Sequence, residues 1–199
     1  KLNAVPFSSH FMEEFLNIVY HADDPLADSS SLAVWALSKN VSQKYKVMLG
    51  GDGGDEIFGG YLTYKASLMY QNIFKYMPTP LRLSIQKLSH ILPISDKKVS
   101  FSYKLMRFLR AFDLAPEEAH FTWNGTWHPH EVNKISSSIP ESKEGNILTK
   151  QIGTHKDVLT TLQKIDLENY LPSDILTKVD RMTMAHGLES RAPLLHPDI

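Results

Sequence analysis

Lys46-Val47-Met48-Leu49-Gly50-Gly51-Asp52-Gly53-Gly54-Asp55-Glu56 is a short apolar run that breaks into four glycines and three acids. An apolar run of this length, ended by glycine, fits a buried parallel strand. Its carboxyl end opens into a loop, and in open α/β sheets ligands sit beyond the carboxyl ends of strands. Residues without Cβ atoms let backbone N–H groups approach a phosphate or ribose closely. Asp52 and Asp55 stand three apart, within reach of one hard cation. Mg²⁺ favours one or two carboxylates with phosphate oxygens and water. The competing reading is a glycine-rich turn with solvated acids. Ile57-Phe58-Gly59-Gly60-Tyr61 then restores packing and permits a sharp change of direction.

Outward from this strand the pattern turns helical. Phe11, Phe15, Ile18 and Val19 line one face of a short helix over 11–20. Asp28 and the serines at 29–31 are N-cap candidates for a helix that runs to about Tyr45. Past the loop, helices are predicted over 61–76, 81–92 and 100–112, each followed by proline, and a short one over 116–123. The stretch 136–154, rich in Ser, Lys, Glu and Gly, reads as an exposed connection. Two helices, 156–170 and 173–186, close the chain, the second capped by Gly187. The expected fold class is α/β, predominantly helical in this portion.

Composition excludes several functions. Lys and Arg number 21 against 22 acids, a net charge of −1, which leaves no global footprint for nucleic acid or an anionic membrane. With no cysteine, disulfides, thiolate metal sites and a cysteine nucleophile are ruled out within the chain. No apolar run approaches the roughly 18 residues of a membrane span. A cytoplasmic location is the expectation.

Residues 49–61 resemble the signature Leu-Ser-Gly-Asp/Glu-Gly-Gly/Ser-Asp-Glu-Leu/Val-Phe-Gly-Gly-Tyr of the synthetase domain of the asparagine synthetase family. Two further segments agree in order. Asp23-Asp24-Pro25, with Asp28 before Ser29, is similar to the family's Asp-Glu-Pro stretch and its later Asp-Ser. Leu171-Pro172-Ser173-Asp174, Lys178-Val179-Asp180-Arg181 and Gly187-Leu188-Glu189-Ser190-Arg191-Ala192-Pro193 follow its closing motif. The resemblance implies a partial adenine-nucleotide-binding, ATP-pyrophosphatase-like parallel-sheet domain over 1–199, with 65–160 a mostly helical insertion. It implies ATP and Mg²⁺ as cofactors and a carboxylate acceptor, aspartate by default, activated as acyl-AMP. Ammonia from glutamine then gives the amide. By the same resemblance Asp52 supports adenylate formation, Asp55 holds Mg²⁺ with Asp52, and Gly50, Gly51 and Gly53 contact the nucleotide. Asp174 orients the base or lysine of the site, or is simply a first-turn helix acid.

Two positions depart from the family pattern. Gly50 stands where Ser is usual, and His196 of Leu194-Leu195-His196 where Asp is usual. The family's Ser-Gly-Gly-x-Asp-Ser pyrophosphate loop and its glutaminase domain are expected upstream of Lys1, and a lysine for amide formation beyond Ile199. By itself the chain is expected to show no ATP–pyrophosphate exchange. Alternatives are the same chemistry on another acceptor, as in β-lactam synthetases or peptide and sugar amidotransferases, and a non-catalytic interaction remnant. An acid at position 52 favours the asparagine type, because lactam-forming relatives tend to have Tyr there. A homodimer is allowed for.

The remaining candidates have plainer readings. Asp28 faces the site or caps a helix. Lys178, Asp180 and Arg181 share neighbouring turns and suit an ion-pair network. Glu189 and Arg191 are similar, with Arg191 also a fork for carboxylate or phosphate. His128-Pro129-His130 reads as a surface turn, not a zinc site. Trp123 and Trp127 read as a core contact, and Lys97, Lys98, Arg107 and Arg110 as solvated helix faces.

Overall fold

The computed structural model describes residues 11–89, 101–111, 116–124 and 157–198, with Ala4 and Leu114. Helices α1 (Phe11–Ala22) and α2 (Ser31–Val41) precede strand β1 (Val47–Leu49), and α3 (Gly54–Phe58) follows it. Next come α4 (Leu62–Asn72), a 3-10 turn (Phe74–Tyr76), α5 (Thr79–Ser89), α6 (Phe101–Arg110), α7 (Pro116–Asn124) and α8 (Val158–Ile165). A π-helical segment (Asp166–Leu176), α9 (Thr177–Met184), β2 (Glu189–Arg191) and a 3-10 turn (Pro193–Leu195) complete the order. Contacts divide the chain into two compact units, 1–58 with 166–199, and 59–165. The expected connection over 136–154, His128, His130, Trp127, Lys97 and Lys98 lie outside the described residues.

In the first unit, β1 and β2 pair in parallel, with Val47 opposite Glu189, Met48 opposite Ser190 and Leu49 opposite Arg191. β2 escapes a sequence reading because Glu189-Ser190-Arg191 carries no apolar pattern. The expected burial of β1 also fails, since Val47 is 42% and Leu49 72% exposed. β1 has one neighbouring strand among the described residues, short of the two-sided cover that a parallel sheet usually has. The core is helical instead. Ile18, Ala22, Trp35 and Met182 are buried together, with Leu26, Leu32, Val34 and Ala185 against them.

The buried stripe of α1 is therefore Ile18 and Ala22, four apart, while Phe15 and Val19 of the predicted face are exposed. Glu14, one turn earlier, accepts from Trp35 Nε1 at 2.6 Å and from Lys39 Nζ at 2.7 Å. Burial of the Trp35 ring is thus compatible with its polar N–H.

The C-terminal helices differ most from expectation. Two helices were expected on either side of Pro172, yet Asp166–Leu176 is helical throughout, in π turns, and runs directly into α9. Proline removes one N–H and clashes with the carbonyl four residues back in an α-helix. Wider i→i+5 turns relieve that crowding, and Thr177 Oγ1 donates to the Pro172 carbonyl at 2.8 Å. Gly187, at φ 62, ends the helical run as expected, with Leu188 N–H bonded to Thr183 O at 3.1 Å.

The second unit is all helical among its described residues. Tyr70, Phe108, Leu109, Ala111, Ala119 and Trp123 form one cluster, and Tyr64, Leu162 and Ile165 another. Trp123 stacks on Phe108 with centroids 5.5 Å apart, as its core reading required. Arg107 is not a solvated face: it donates to Tyr103 Oη at 2.9 Å and to the Trp123 carbonyl at 2.6 Å. Prolines act as helix starters as well as stops, Pro80 lying in the first turn of α5.

Met182 is fully buried and Met69 is 43% exposed. Met182→Ala is expected to cost about 2–5 kcal/mol in urea unfolding, and Met69→Ala less than about 1 kcal/mol.

Candidate functional site

β1 ends at Leu49, and Gly50 N–H still donates to Arg191 O at 2.8 Å, so β2 holds the first residue of the loop. The chain then turns through Gly51–Gly54, closed by Gly54 N–H to Gly51 O at 3.2 Å, and enters α3. Gly53 has φ 86, a left-handed value that favours glycine. A Cβ there would also collide with the Leu195 side chain, and one on Gly54 would come within 3.0 Å of Leu194 Cδ1. Leu194 and Leu195 thus sit directly on the Gly53-Gly54 backbone. Gly51 is the opposite case, exposed and with nothing within 4 Å of the Cβ position. Asp52 is half-buried and Asp55 exposed at the first turn of α3.

This set fits a nucleotide with its metal. The open backbone at Gly51 stands beside carboxylates that reach solvent, and Mg²⁺ bound with phosphates needs no more than one or two of these. Among the described residues no group of three or more His, Asp or Glu is placed to hold a metal by itself.

A second constellation lies in the same unit. Lys178 is buried on α9 and its Nζ lies 2.5 Å from Asp28 Oδ2. The Asp28 carboxylate also accepts from Ser30 N–H and Ser30 Oγ, each at 2.8 Å. Asp28 is therefore the anchor of an Asx turn ahead of α2 and an ion-pair partner, while the N-cap position falls to Ser30. Burial alone would raise the Asp28 carboxyl, but the bonds from Lys178 and Ser30 outweigh it and hold it below the usual range. Asp174 is raised, by burial first and then by the charge of Asp28, against the opposing pull of Lys178 and a hydrogen bond from Tyr170. Tyr170 is pushed up to about 12 by burial and by Asp174, Asp28, Asp166 and Glu56 around it.

The proposed ion-pair network of Lys178, Asp180 and Arg181 does not form within its helix. Lys178 goes to Asp28. Arg181 reaches the C-terminus of α1, donating to the Ala22 carbonyl and lying 3.7 and 3.8 Å from Asp23 and Asp24. Asp23 itself takes φ 66, beyond the last turn of α1. Asp180 is exposed and has no ion pair among the described residues. The helix spacing was right, but longer-range partners win because they satisfy a buried ammonium and the bare carbonyls at a helix end. Glu189 and Arg191 do pair, at 2.8 Å, and both are exposed. His196 Nδ1 lies 3.5 Å from Asp198 Oδ2, so a carboxylate stands two residues beyond the departure.

Glu56, Asp166 and Tyr170 were missed as candidates. Glu56 and Asp166 are buried, and α3 packs on the π-helical segment that carries Asp166 and Tyr170. The available signal was a polar series four apart, Asp166, Tyr170, Asp174 and Lys178, interrupted to the eye by Pro172.

The family model described as asparagine synthase matches residues 6–199. A Mycobacterium bovis protein named as an asparagine synthetase (glutamine-hydrolysing) is 29% identical over 96% of this chain and 29% of its own length. Asparagine synthetase (glutamine-hydrolysing) 1 of Bacillus subtilis is 28% identical over 93% of the chain and 28% of its own. The amidase ChyE of Penicillium rubens is 25% identical over 91% and 29%. The chain thus spans less than a third of the length of each of these relatives. No solved structure matches it. No helix among the described residues is long and apolar enough to cross a membrane.

Asp28, with its lowered carboxyl, adds stability that is present above the ordinary aspartate range near pH 4 and is lost as the pH falls through its folded value. Raised Asp174 does the reverse: its contribution is present below that range and is lost as the pH rises through its folded value. Asp28→Asn should cost on the order of 3 kcal/mol at pH 7 by stranding Lys178, and less at pH 3.5. Asp174→Asn should be neutral or stabilising at pH 7 and lose that advantage at pH 3.5. Urea unfolding at the two pH values checks both, and equal costs of Asp28→Asn at each would count against the pairing.

Proposed function

The chain belongs to the asparagine synthase family, and we propose that the protein carrying it makes an amide from a carboxylate by an ATP-dependent reaction in two steps. One observation carries this reading. The C-terminal end of β1, locked to β2 through Gly50, opens into a loop that sets exposed backbone at Gly51 beside Asp52 and Asp55.

In the first step a carboxylate oxygen of the acceptor, aspartate in the leading reading, attacks the α-phosphorus of ATP. The bond to the β-phosphate oxygen breaks and pyrophosphate leaves, giving acyl-AMP. In the second step ammonia derived from glutamine attacks the acyl carbon. The C–O bond to AMP breaks, a proton is lost from nitrogen, and the amide remains.

Gly50 and Gly51 set backbone against the nucleotide, and Gly53, packed beneath Leu195, shapes the turn that presents them. Asp55, with Asp52, would hold Mg²⁺, which neutralises charge developing on the leaving pyrophosphate. Asp52 supports adenylate formation. Asp174, its carboxyl raised by burial and by the charge of Asp28, orients groups from the π-helical side. Lys178, Asp28 and Arg181 hold α9 and the loop before α2 in place, and Glu189 with Arg191 flanks the end of β2.

A second reading keeps the adenylation and changes the acceptor. The likeness to an amidase, at 25% identity, and the departures at Gly50 and His196 favour testing it.

Pyrophosphate release by the whole protein, screened over carboxylates with ATP and Mg²⁺, tests the function. Release is expected with aspartate, and Asp52→Asn should lower kcat by about 100-fold or more. Unchanged release in that variant would remove Asp52 from the mechanism. Release only with a different carboxylate would select the second reading.

A further inference from the structure

The Asp52 side chain folds back over the loop that carries it. A Cβ placed on Gly50 would lie 2.5 Å from Asp52 Oδ2 and 3.5 Å from its Cγ. The carboxylate therefore rests against the bare Cα of Gly50, in space that any other residue would fill. Gly50 is not in the left-handed region, so its backbone would accept a side chain. The conflict would fall on Asp52.

The same Cβ position lies 3.6 Å from Ser190 Oγ. Ser190 is placed there by strand register: it pairs with Met48, and Gly50 N–H bonds to the carbonyl of the next residue, Arg191, at 2.8 Å. Ser190 Oγ is buried and has no hydrogen-bond partner. A buried hydroxyl left unpaired is destabilising, and few persist in native proteins without a reason. The Asp52 carboxylate, an acceptor with lone pairs to spare, borders the same Cβ-sized space beside Gly50.

We propose that Gly50 and Ser190 together seat the Asp52 carboxylate. Gly50 leaves the room, and the Ser190 hydroxyl, by rotation about its Cα–Cβ bond, donates to the carboxylate and fixes its direction. Both are positioning residues, and Asp52 is the group that meets the substrate. The proposal rests on the synthetase reading for what Asp52 does. It also gives the departure at position 50 a counterpart: the hydroxyl that a serine there would bring is supplied from the adjacent strand.

The test is a double-mutant cycle in the full-length protein. Ser190→Ala is expected to lower kcat for pyrophosphate release about tenfold, with KM for ATP within about twofold. Ser190→Thr, which keeps the hydroxyl and suits a strand, should recover activity to within about threefold of wild type. Gly50→Ala should lower kcat as Ser190→Ala does. On an Asp52→Asn background, Ser190→Ala should add little, whereas an unrelated structural effect would multiply. Full activity in Ser190→Ala or in Gly50→Ala overturns the proposal, as does additivity in the cycle.

The same cycle read as urea midpoints separates this proposal from the functional one. If the wild-type protein releases no pyrophosphate with any carboxylate, the synthetase reading falls. Coupling of Ser190 and Asp52 in the midpoints would then keep the seat, and additive midpoints would remove it.

Discussion

A lysine ammonium this deeply buried is tolerated only beside a carboxylate, and for Lys178 that carboxylate is Asp28, at 2.5 Å. The pair fixes α9 against the turn that begins α2, two segments 150 residues apart in the chain. Asp28 serves twice, since Oδ2 meets both Lys178 and the Ser30 hydroxyl while Oδ1 accepts from Ser30 N–H and organises the turn. Arg181, one turn along α9, closes the C-terminus of α1 in the same way. These two cations set the direction of α9, and α9 leads through Gly187 into β2. The strand that holds Gly50 is thus positioned by charges paired well away from it.

The loop between β1 and α3 is built from opposite demands on neighbouring glycines. At Gly53 the backbone angle and the Leu195 side chain both exclude a Cβ. At Gly51 nothing approaches at all. The first glycine lets the C-terminal 3-10 turn pack onto the loop, and the second leaves backbone open to a ligand. A single composition, glycine with acids, therefore encodes a closed side and an open side.

Much of this could be read from the residues, and what could not has physical reasons. The loop at 50–56, the cap at Gly187 and the helices of the second unit depend on local chemistry, so local patterns reveal them. β2 was illegible because Glu189-Ser190-Arg191 owes its strand conformation to pairing with β1. The partner of Lys178 was illegible because spacing along a helix suggests only near neighbours, and the true one lies 150 residues away. On α1 the apolar residues were noticed, but the buried line is Ile18 and Ala22, which follow Glu14 at four-residue steps. Whether the acids at 52 and 55 belong to a site was legible only through resemblance, because a loop of this composition serves solvent equally well.

The π-helical segment has a consequence for rotational phase. In an α-helix each residue turns about 100°, so two residues twelve apart end about a third of a turn out of line. Asp166, Tyr170, Asp174 and Lys178 are spaced by four, and regular α turns would spiral them around the axis. Each pair at a four-residue step is a neighbour even in an α-helix. The wider turns over Asp166–Leu176 rotate less per residue and so work against the accumulated drift. Asp166 and Asp174 both act on Tyr170, and Lys178 on Asp174. A proline that would kink an ordinary helix here sits inside the stretch whose wider turns set the course of this row of ionisable groups. A one-residue deletion within it would keep all four of these groups and still change the phase between Asp166 and Lys178.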